Sequence, residues 1–243
     1  MISLDRVYKS FDSPVLRGVS LHARGGSLLG LVGPPGAGKT VLLRAIAGLT
    51  EVDAGKIRIL GREMVQSDSK VRRMLQSSIG MLFQNVALFD FMTVGQNVAF
   101  PLERRGERPA DVRQRVRLEL DEVGLSGFED RMPSGLSGGQ RRRVGIARAA
   151  VTRPPVLLYD EPAAGLDPVT TSRAFALLQK QRDRLGSTLI VVSSDIDRLL
   201  PACDEVAVMH QGRILAQGTE REVKSAGDPV IDQFLEGRID GPL

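Results

Sequence analysis

The chain has no tryptophan, two tyrosines, two histidines and one cysteine in 243 residues. A single thiol, Cys203, excludes an intramolecular disulfide framework and fits a reducing compartment. Aromatics are 4% of the residues and the net charge is only +4, so there is little surface for stacking bases and no strong basic field. Nucleic acid is therefore not an expected partner. Long apolar runs are also missing: no stretch approaches the roughly 20 apolar residues that span a bilayer, and the amino terminus lacks the basic-then-apolar layout of a secretory signal. If the chain works at a membrane, it is expected there as a peripheral subunit.

What is present is enough to build a core. The composition is 42% hydrophobic, which fits one large domain or a domain with an inserted lobe. Short apolar runs bounded by glycine, proline or charge predict strands at Leu28–Val32, Ile57–Leu60, Ile79–Phe83, Val156–Tyr159, Leu189–Val192 and Val206–Met209. Helical patterns at Thr40–Ala47 and Ser172–Leu185 lie between them, so a mostly parallel α/β sheet is expected. Val15–His22 and Lys56–Leu60 alternate more and suggest a small antiparallel addition. Between Asn85 and Arg153 the strand signal fades and charged helical stretches such as Pro109–Val123 and Gln140–Val151 take over, the pattern of an inserted helical lobe. Gln211-Gly212 predicts a hairpin turn, and Val230–Leu235 an amphipathic piece leading into a tail.

Gly33-Pro34-Pro35-Gly36-Ala37-Gly38-Lys39-Thr40, followed by Val41, matches G-x-x-x-x-G-K-[ST] in full and sits between a strand and a helix. Glycines let the backbone curl so that successive amides point inward, and the helix start adds its positive dipole. Lys39 can reach the β- and γ-phosphates, and the Thr40 hydroxyl can ligate Mg²⁺. Pro35 has no amide hydrogen, so the cradle must be made from Gly36 onward. Val156-Leu157-Leu158-Tyr159-Asp160-Glu161 is an apolar strand ending in two carboxylates. Taken alone, such a pair is a loop start. After a complete phosphate loop, Asp160 can hold the metal and Glu161 can align a water and accept its proton.

Leu136-Ser137-Gly138-Gly139-Gln140 opens a second glycine-rich helix start, about 20 residues before Asp160. With the phosphate loop upstream, the chain resembles the ATPases of the ATP-binding cassette (ABC) family. The resemblance implies an α/β P-loop NTPase fold, a RecA-like core with an antiparallel β subdomain and an inserted helical subdomain. On this reading residues 1–227 are the ATPase domain, with the helical subdomain at about 85–152, and residues 228–243 are a tail. It further implies ATP hydrolysis with Mg²⁺ and a homodimer in which each of two ATP molecules is clamped between the phosphate loop of one protomer and Ser137, Gly138, Gly139 and Gln140 of the other. By the same resemblance Phe11 stacks on adenine, Gln84 senses the metal and the attacking water, and Asp167 of Gly165-Leu166-Asp167 communicates across the dimer. A surface aromatic beside a turn is the plainer reading of Phe11. Arg141-Arg142-Arg143 reads as a solvated helix face, because three consecutive residues cannot share one side.

The segment Met81–Asp90, with Thr93-Val94 and Asn97–Leu102, is similar to the ATPases of Mce/Mla-type phospholipid transporters, as are Met132-Pro133-Ser134 and the end from Phe234. That likeness implies separate permease subunits, an Mce-domain component and a place at the cytoplasmic face of the inner membrane. Phe89, Phe91 and Met92 form an apolar cluster expected to meet the partner, with packing inside the helical lobe as the alternative. Two departures stand out: Gly135 replaces a common glutamate, and Ser194 in Ser193-Ser194-Asp195 replaces a histidine that touches the γ-phosphate in relatives. Slow hydrolysis is the expected consequence. It keeps open an ATP-gated assembly module, and a soluble non-transport ATPase is the remaining alternative.

Overall fold

Three apolar runs, Leu28–Val32, Val156–Asp160 and Thr188–Val192, are buried along their whole length. Strands buried on both faces need cover from both sides, and that requirement shapes the molecule. In chain order the computed structural model, which describes residues 1–65 and 67–242, begins with β1 (Ile2–Ser10), β2 (Pro14–Ala23), β3 (Leu28–Val32) and α1 (Lys39–Ile46). It continues through β4 (Ala54–Ile59), β5 (Arg62–Glu63), α2 (Ser69–Ser77), β6 (Ile79–Leu82), α3 (Val94–Glu103), α4 (Pro109–Glu122) and α5 (Gly138–Ala150). β7 (Val156–Asp160), α6 (Pro168–Leu185), β8 (Thr188–Val192), α7 (Ile196–Leu199), β9 (Glu205–His210), β10 (Arg213–Gly218), α8 (Glu220–Lys224) and α9 (Pro229–Glu236) complete it. Leu243, the last residue of the expected tail, lies outside the described residues.

The six-stranded sheet has the order β10-β9-β3-β8-β7-β6, parallel except for the hairpin strand β10 at its edge. Alternate residues of its strands divide between two cores. Leu28, Leu157, Tyr159, Leu189 and Val191 enter the core shared with α3 to α6, while Leu29, Leu31, Leu158, Ile190 and Val192 enter the one shared with α1 and the antiparallel sheet. That second sheet has the order β2-β1-β4-β5. Its strand β1 was not among the strands expected from the sequence. The reason is a bulge: Ile2 and Leu4 alternate, but the register shifts before Val7 and Arg6 takes a positive φ of 45°. The strands and helices that were expected are all found, with ends shifted by a few residues. β4, for example, begins at Ala54 rather than at 56 or 57, and α6 begins at Pro168 rather than at 172.

α6 follows the rules for helix ends: Asp167 caps it, Pro168 opens it and Gly186 closes it in the left-handed conformation. It lies against α4 through two ion pairs, Arg184–Glu119 at 2.7 Å and Lys180–Glu122 at 2.9 Å. Glu119 is only 2% exposed, and Tyr159, fully buried in β7, donates its hydroxyl proton to Gln181 close by. A polar seam thus joins the helices between β6 and β7 to the strand that ends in Asp160.

Arg184→Met strands the Glu119 carboxylate away from water. The half-open position of Arg184 discounts the full penalty of a buried unpaired charge, so a loss on the order of 2–3 kcal/mol is expected, read as a lower urea midpoint at unchanged m. An unchanged midpoint would show that the seam does not hold α4 to α6.

Candidate functional site

The turn after β3 is built by glycines at positions no other residue fills easily. Gly33, Gly36 and Gly38 have φ of 150°, 77° and 105°. Gly38 is the N-cap of α1 and offers no side-chain cap, so among the described residues no cap side chain takes up the first-turn amides at Lys39, Thr40 and Val41. The loop is held from behind by the β9–β10 hairpin. Gly212 N–H donates to the Ala37 carbonyl at 3.1 Å, and Arg17 N–H donates to the Gly212 carbonyl at 2.8 Å, tying β2 to the same turn. The Gln211-Gly212 hairpin was legible in the sequence; its use as a brace for the phosphate loop was not.

Lys39 donates to the carbonyls of Gly33 at 2.6 Å and Pro34 at 2.9 Å. Burial lowers its pKa, opposed by the negative field of Glu161 and Asp160. The ammonium, the loop and the two acids therefore share one edge of the sheet. Asp160 is 2% exposed and its Oδ1 is buried without a hydrogen-bond partner. Burial raises its pKa, while Thr40, Arg44 and Lys39 pull it back down. An orphaned carboxylate oxygen beside a threonine hydroxyl suits a hard divalent cation, which would complete the coordination that the protein leaves open. Among the described residues no group of three or more His, Cys, Asp or Glu side chains could hold a metal, so a cation here would draw on other oxygen ligands, water included.

Glu161 stands one residue beyond the strand with a positive φ of 52°. Its N–H still donates to the Val192 carbonyl at 3.0 Å, which bends the backbone out of the sheet and costs about 1–3 kcal/mol for a residue with a side chain. Ser194 meets it from the end of β8: its N–H and its hydroxyl both donate to Glu161 Oε2, each at 3.2 Å. Burial raises the pKa of Glu161, and the two bonds from Ser194 oppose that rise. Residue 194 was read in the sequence only as a missing γ-phosphate contact. Its direct hold on the neighbouring carboxylate depends on β7 and β8 lying side by side, which the sequence does not state.

The other expected residues fall in three places. Phe11 is 60% exposed in the turn between β1 and β2, with the Lys9 ammonium 5.2 Å from its ring centre. Val15, a few residues on, packs its carbonyl against Gly38, so this turn borders the phosphate loop. Gln84 is exposed just after β6. Ser137 and Gln140 cap each other at the start of α5, Ser137 Oγ accepting from Gln140 N–H at 3.2 Å and Gln140 Oε1 accepting from Ser137 N–H at 2.9 Å. Gly138 is open, and a Cβ on Gly139 would lie 3.3 Å from Leu166. Among the described residues no hydrogen bond or ion pair joins 137–140 to 33–41 within one chain. Asp167 points back to its own helix, accepting from Val169 and Thr170 N–H at 3.0 Å each.

The arginine run departs from the expected solvated face. Only Arg141 is exposed, donating to the Leu136 carbonyl at 2.6 Å; Arg143 reaches the Val123 carbonyl at 3.2 Å, and Arg142 buries an unpartnered Nε within the field of Glu161. Three side chains leaving a helix at about 100° intervals meet three environments. A Cβ at Gly135 meets nothing within 4 Å, so the glutamate of relatives would fit there.

The family described as ABC transporter matches residues 16–164. Among curated proteins, the methionine import ATP-binding protein MetN of Geobacillus kaustophilus is 39% identical over 246 residues, covering 99% of this chain and 72% of that protein. The sulfate/thiosulfate import ATP-binding protein CysA of Synechocystis is 41% identical over 236 residues, covering 96% of this chain and 65% of its own. The chain thus spans about two thirds of the length of these relatives. Among solved structures, the ATP-binding cassette MJ0796 in a dimeric post-hydrolysis state with ADP and Pi superposes with a TM-score of 0.84 at 28% identity, covering 90% of this chain and 98% of that one. CbiO1 of Clostridium perfringens, part of the transporter complex cbiONQ, gives 0.84 at 30% identity, covering 98% and 95%.

Ser194→Ala removes one of the two hydrogen bonds that favour ionised Glu161. Its pKa should rise, and with Glu161 as the general base proposed below, which must be ionised to act, the acid limb of the pH–rate profile should move to higher pH. Carboxyl ¹³C NMR of Glu161 reads the same shift directly. An unmoved titration would mean that the contact does not form in solution.

Proposed function

We propose that this chain, which belongs to the ABC transporter family and is an ATP-binding ATPase of it, powers a transmembrane transporter as a homodimer that closes on two Mg·ATP. One observation carries the proposal: an amide-lined loop, a lysine, an orphaned buried carboxylate oxygen and a strained, hydrogen-bonded glutamate converge at one sheet edge. Gly33, Gly36, Ala37, Gly38, Lys39, Thr40 and Val41 would cradle the phosphates, with Phe11 against the base. Thr40, Asp160 and Gln84 would hold Mg²⁺, which would supply positive charge to offset that of the phosphates. Glu161 accepts the proton of the attacking water, positioned by Ser194, and Lys39 stabilises charge on the γ-phosphate.

The dimer is supported by the placement of Ser137–Gln140, which, among the described residues, make no hydrogen bond or ion pair to residues 33–41 of their own chain, with Ser137 and Gly138 exposed. The remaining amides of this helix start would act on a nucleotide held by a second copy. Asp167 would contribute to that interface through its loop, since its carboxylate caps its own helix. Partner contact is supported by Phe91, 77% exposed, whose ring is tilted against that of Phe89 at 5.8 Å between centroids, Phe89 in turn lying 4.9 Å from Phe100. Among the described residues no helix is long and apolar enough to cross a membrane. On this reading the permease is a partner and this domain sits at the membrane surface.

For cargo, the relatives named for methionine and sulfate/thiosulfate import support uptake of a small polar solute. They lend no support to the Mce/Mla-type phospholipid reading or to an Mce-domain component, which rest on residue patterns at 81–102, 132–134 and the end from Phe234. Native mass spectrometry of the complex purified from membranes separates them, through a retained phospholipid in one case and an amino acid or oxyanion in the other.

Lys39→Ala should lower hydrolysis by about 10²–10³ or more and weaken ATP binding. Glu161→Gln should keep binding, because the amide has the same shape, and elute as a dimer in Mg·ATP but as a monomer without nucleotide. A Glu161→Gln chain that stays monomeric at saturating Mg·ATP would sink the sandwich arrangement. Phe91→Glu should leave ATP binding intact and abolish co-purification of the permease; intact co-purification would move the docking surface elsewhere.

A further inference from the structure

α5 begins at Gly138 and Gly139, the first exposed and the second beside Leu166, and ends beside the loop that carries Phe89 and Phe91. At that far end Arg148 reaches into the loop. Its Nη2 donates to the Val86 carbonyl at 2.6 Å, its Nη1 donates to the Ala87 carbonyl at 2.8 Å and lies 3.5 Å from Asn97 Oδ1, and its guanidinium lies 5.7 Å from the centre of the Phe89 ring. The two carbonyls belong to the two residues of the loop with strained backbones: Val86 has φ 58° and Ala87 φ 49°, and for a β-branched residue such a value is a genuine outlier. Strain of this kind persists only where the surroundings over-determine it.

Two further features close the grip. Asn97, fully buried in α3, accepts from Phe89 N–H at 2.8 Å and donates to the carbonyls of Phe89, Met92 and Thr93 at 3.0, 3.1 and 3.0 Å, so it fixes the ends of the aromatic segment. Gly145, one turn before Arg148, allows α5 to lie against β6 and the loop, because a Cβ there would stand 2.6 Å from Leu82 and 2.7 Å from Val86. The loop is pinned between α5 and α3, and the charged pin is Arg148.

We propose that Arg148 is a positioning residue that couples the helix opening at Ser137 to the partner-facing aromatics, so that a displacement of α5 on ATP closure is delivered to Phe89 and Phe91. The proposal rests on the dimer and docking readings above, since it assigns a mechanical link between their two surfaces. A planar fork that bonds two adjacent carbonyls and covers a ring moves them as one body. A lysine at the same place keeps the charge but can neither bridge both carbonyls in one plane nor stack.

The chain has no tryptophan, so Phe91→Trp is a single fluorescent reporter. In the Glu161→Gln background, Mg·ATP should shift its emission. Adding Arg148→Lys should cut that shift by about three-fold or more while ATP affinity, dimer elution and melting temperature are kept. A full-sized shift with Arg148→Lys overturns the proposal, and so does a loss that only parallels loss of ATP binding and melting temperature, which is the mark of a fold role alone. If the lysine variant does not fold, hydrogen exchange of the chain with native Arg148 decides: ATP must change protection at the end of α5 and at residues 85–92 together, and a change at one without the other overturns the link. These measurements need no permease. If Phe91→Glu leaves the permease bound, the docking reading fails while the reporter still tests Arg148.

Discussion

The pairing register of β3, β8 and β7 is the constraint on which the rest depends. Leu31 stands opposite Val192, and Val192 stands opposite Asp160. With the strands parallel and in step, the residues that follow each of them emerge at one edge: Gly33 and its loop, Ser193-Ser194, and Glu161. A slip by one residue would turn Asp160 from the nucleotide edge into the opposite face and dismantle the site while keeping a sheet. The register is secured because every residue of these strands is buried and alternate side chains belong to two different cores, so a slip would exchange both sets at once.

At that edge the backbone is held in conformations it would not choose. Glu161 sits at positive φ because its N–H continues the ladder to Val192 while its side chain must leave the strand plane toward Ser194. Val86 and Ala87 are held in the same region by Arg148. In both places hydrogen bonds from a neighbouring element offset the strain, which links the geometry of a loop to the position of another part of the chain. The phosphate loop is braced differently: glycines adopt its curl without strain, and the β9–β10 hairpin holds it through a single backbone bond to Ala37. The thiol of Cys203 takes no part in this chemistry. Burial pushes its pKa up to about 12, and it fills space beside Gly30 under the same sheet.

Much of this was legible in the order of residues, and the reason is that the decisive signals are local. A phosphate loop is one strand, one glycine-rich turn and one helix start, all within a dozen residues, so Gly33 to Val41 could be read without a fold. The acidic pair at Asp160 and Glu161 and the helix start at Ser137 are equally compact, as are the apolar runs that became β3, β7 and β8. The family, the α/β sheet and the helices between β6 and β7 followed from those pieces. Where a local pattern was broken, reading failed: the bulge at Arg6 hid β1, because period-two alternation is the mark of a strand buried on one face and one extra residue inverts it.

Contacts between segments distant in sequence were decided only by the tertiary structure. That Ser194 grips Glu161 depends on β8 lying beside β7, and that Gly212 braces Ala37 depends on β9 lying beside β3. The turning of Asp167 onto its own helix, the burial of Arg142 and the reach of Arg148 into the loop at Val86 are likewise matters of which element packs against which. A residue's type determines what it can donate, accept or cover, and its neighbours along the chain determine the local path. What it actually meets is set by the packing of the whole sheet and its two cores, because burial is a property of the assembled fold and not of any stretch of sequence.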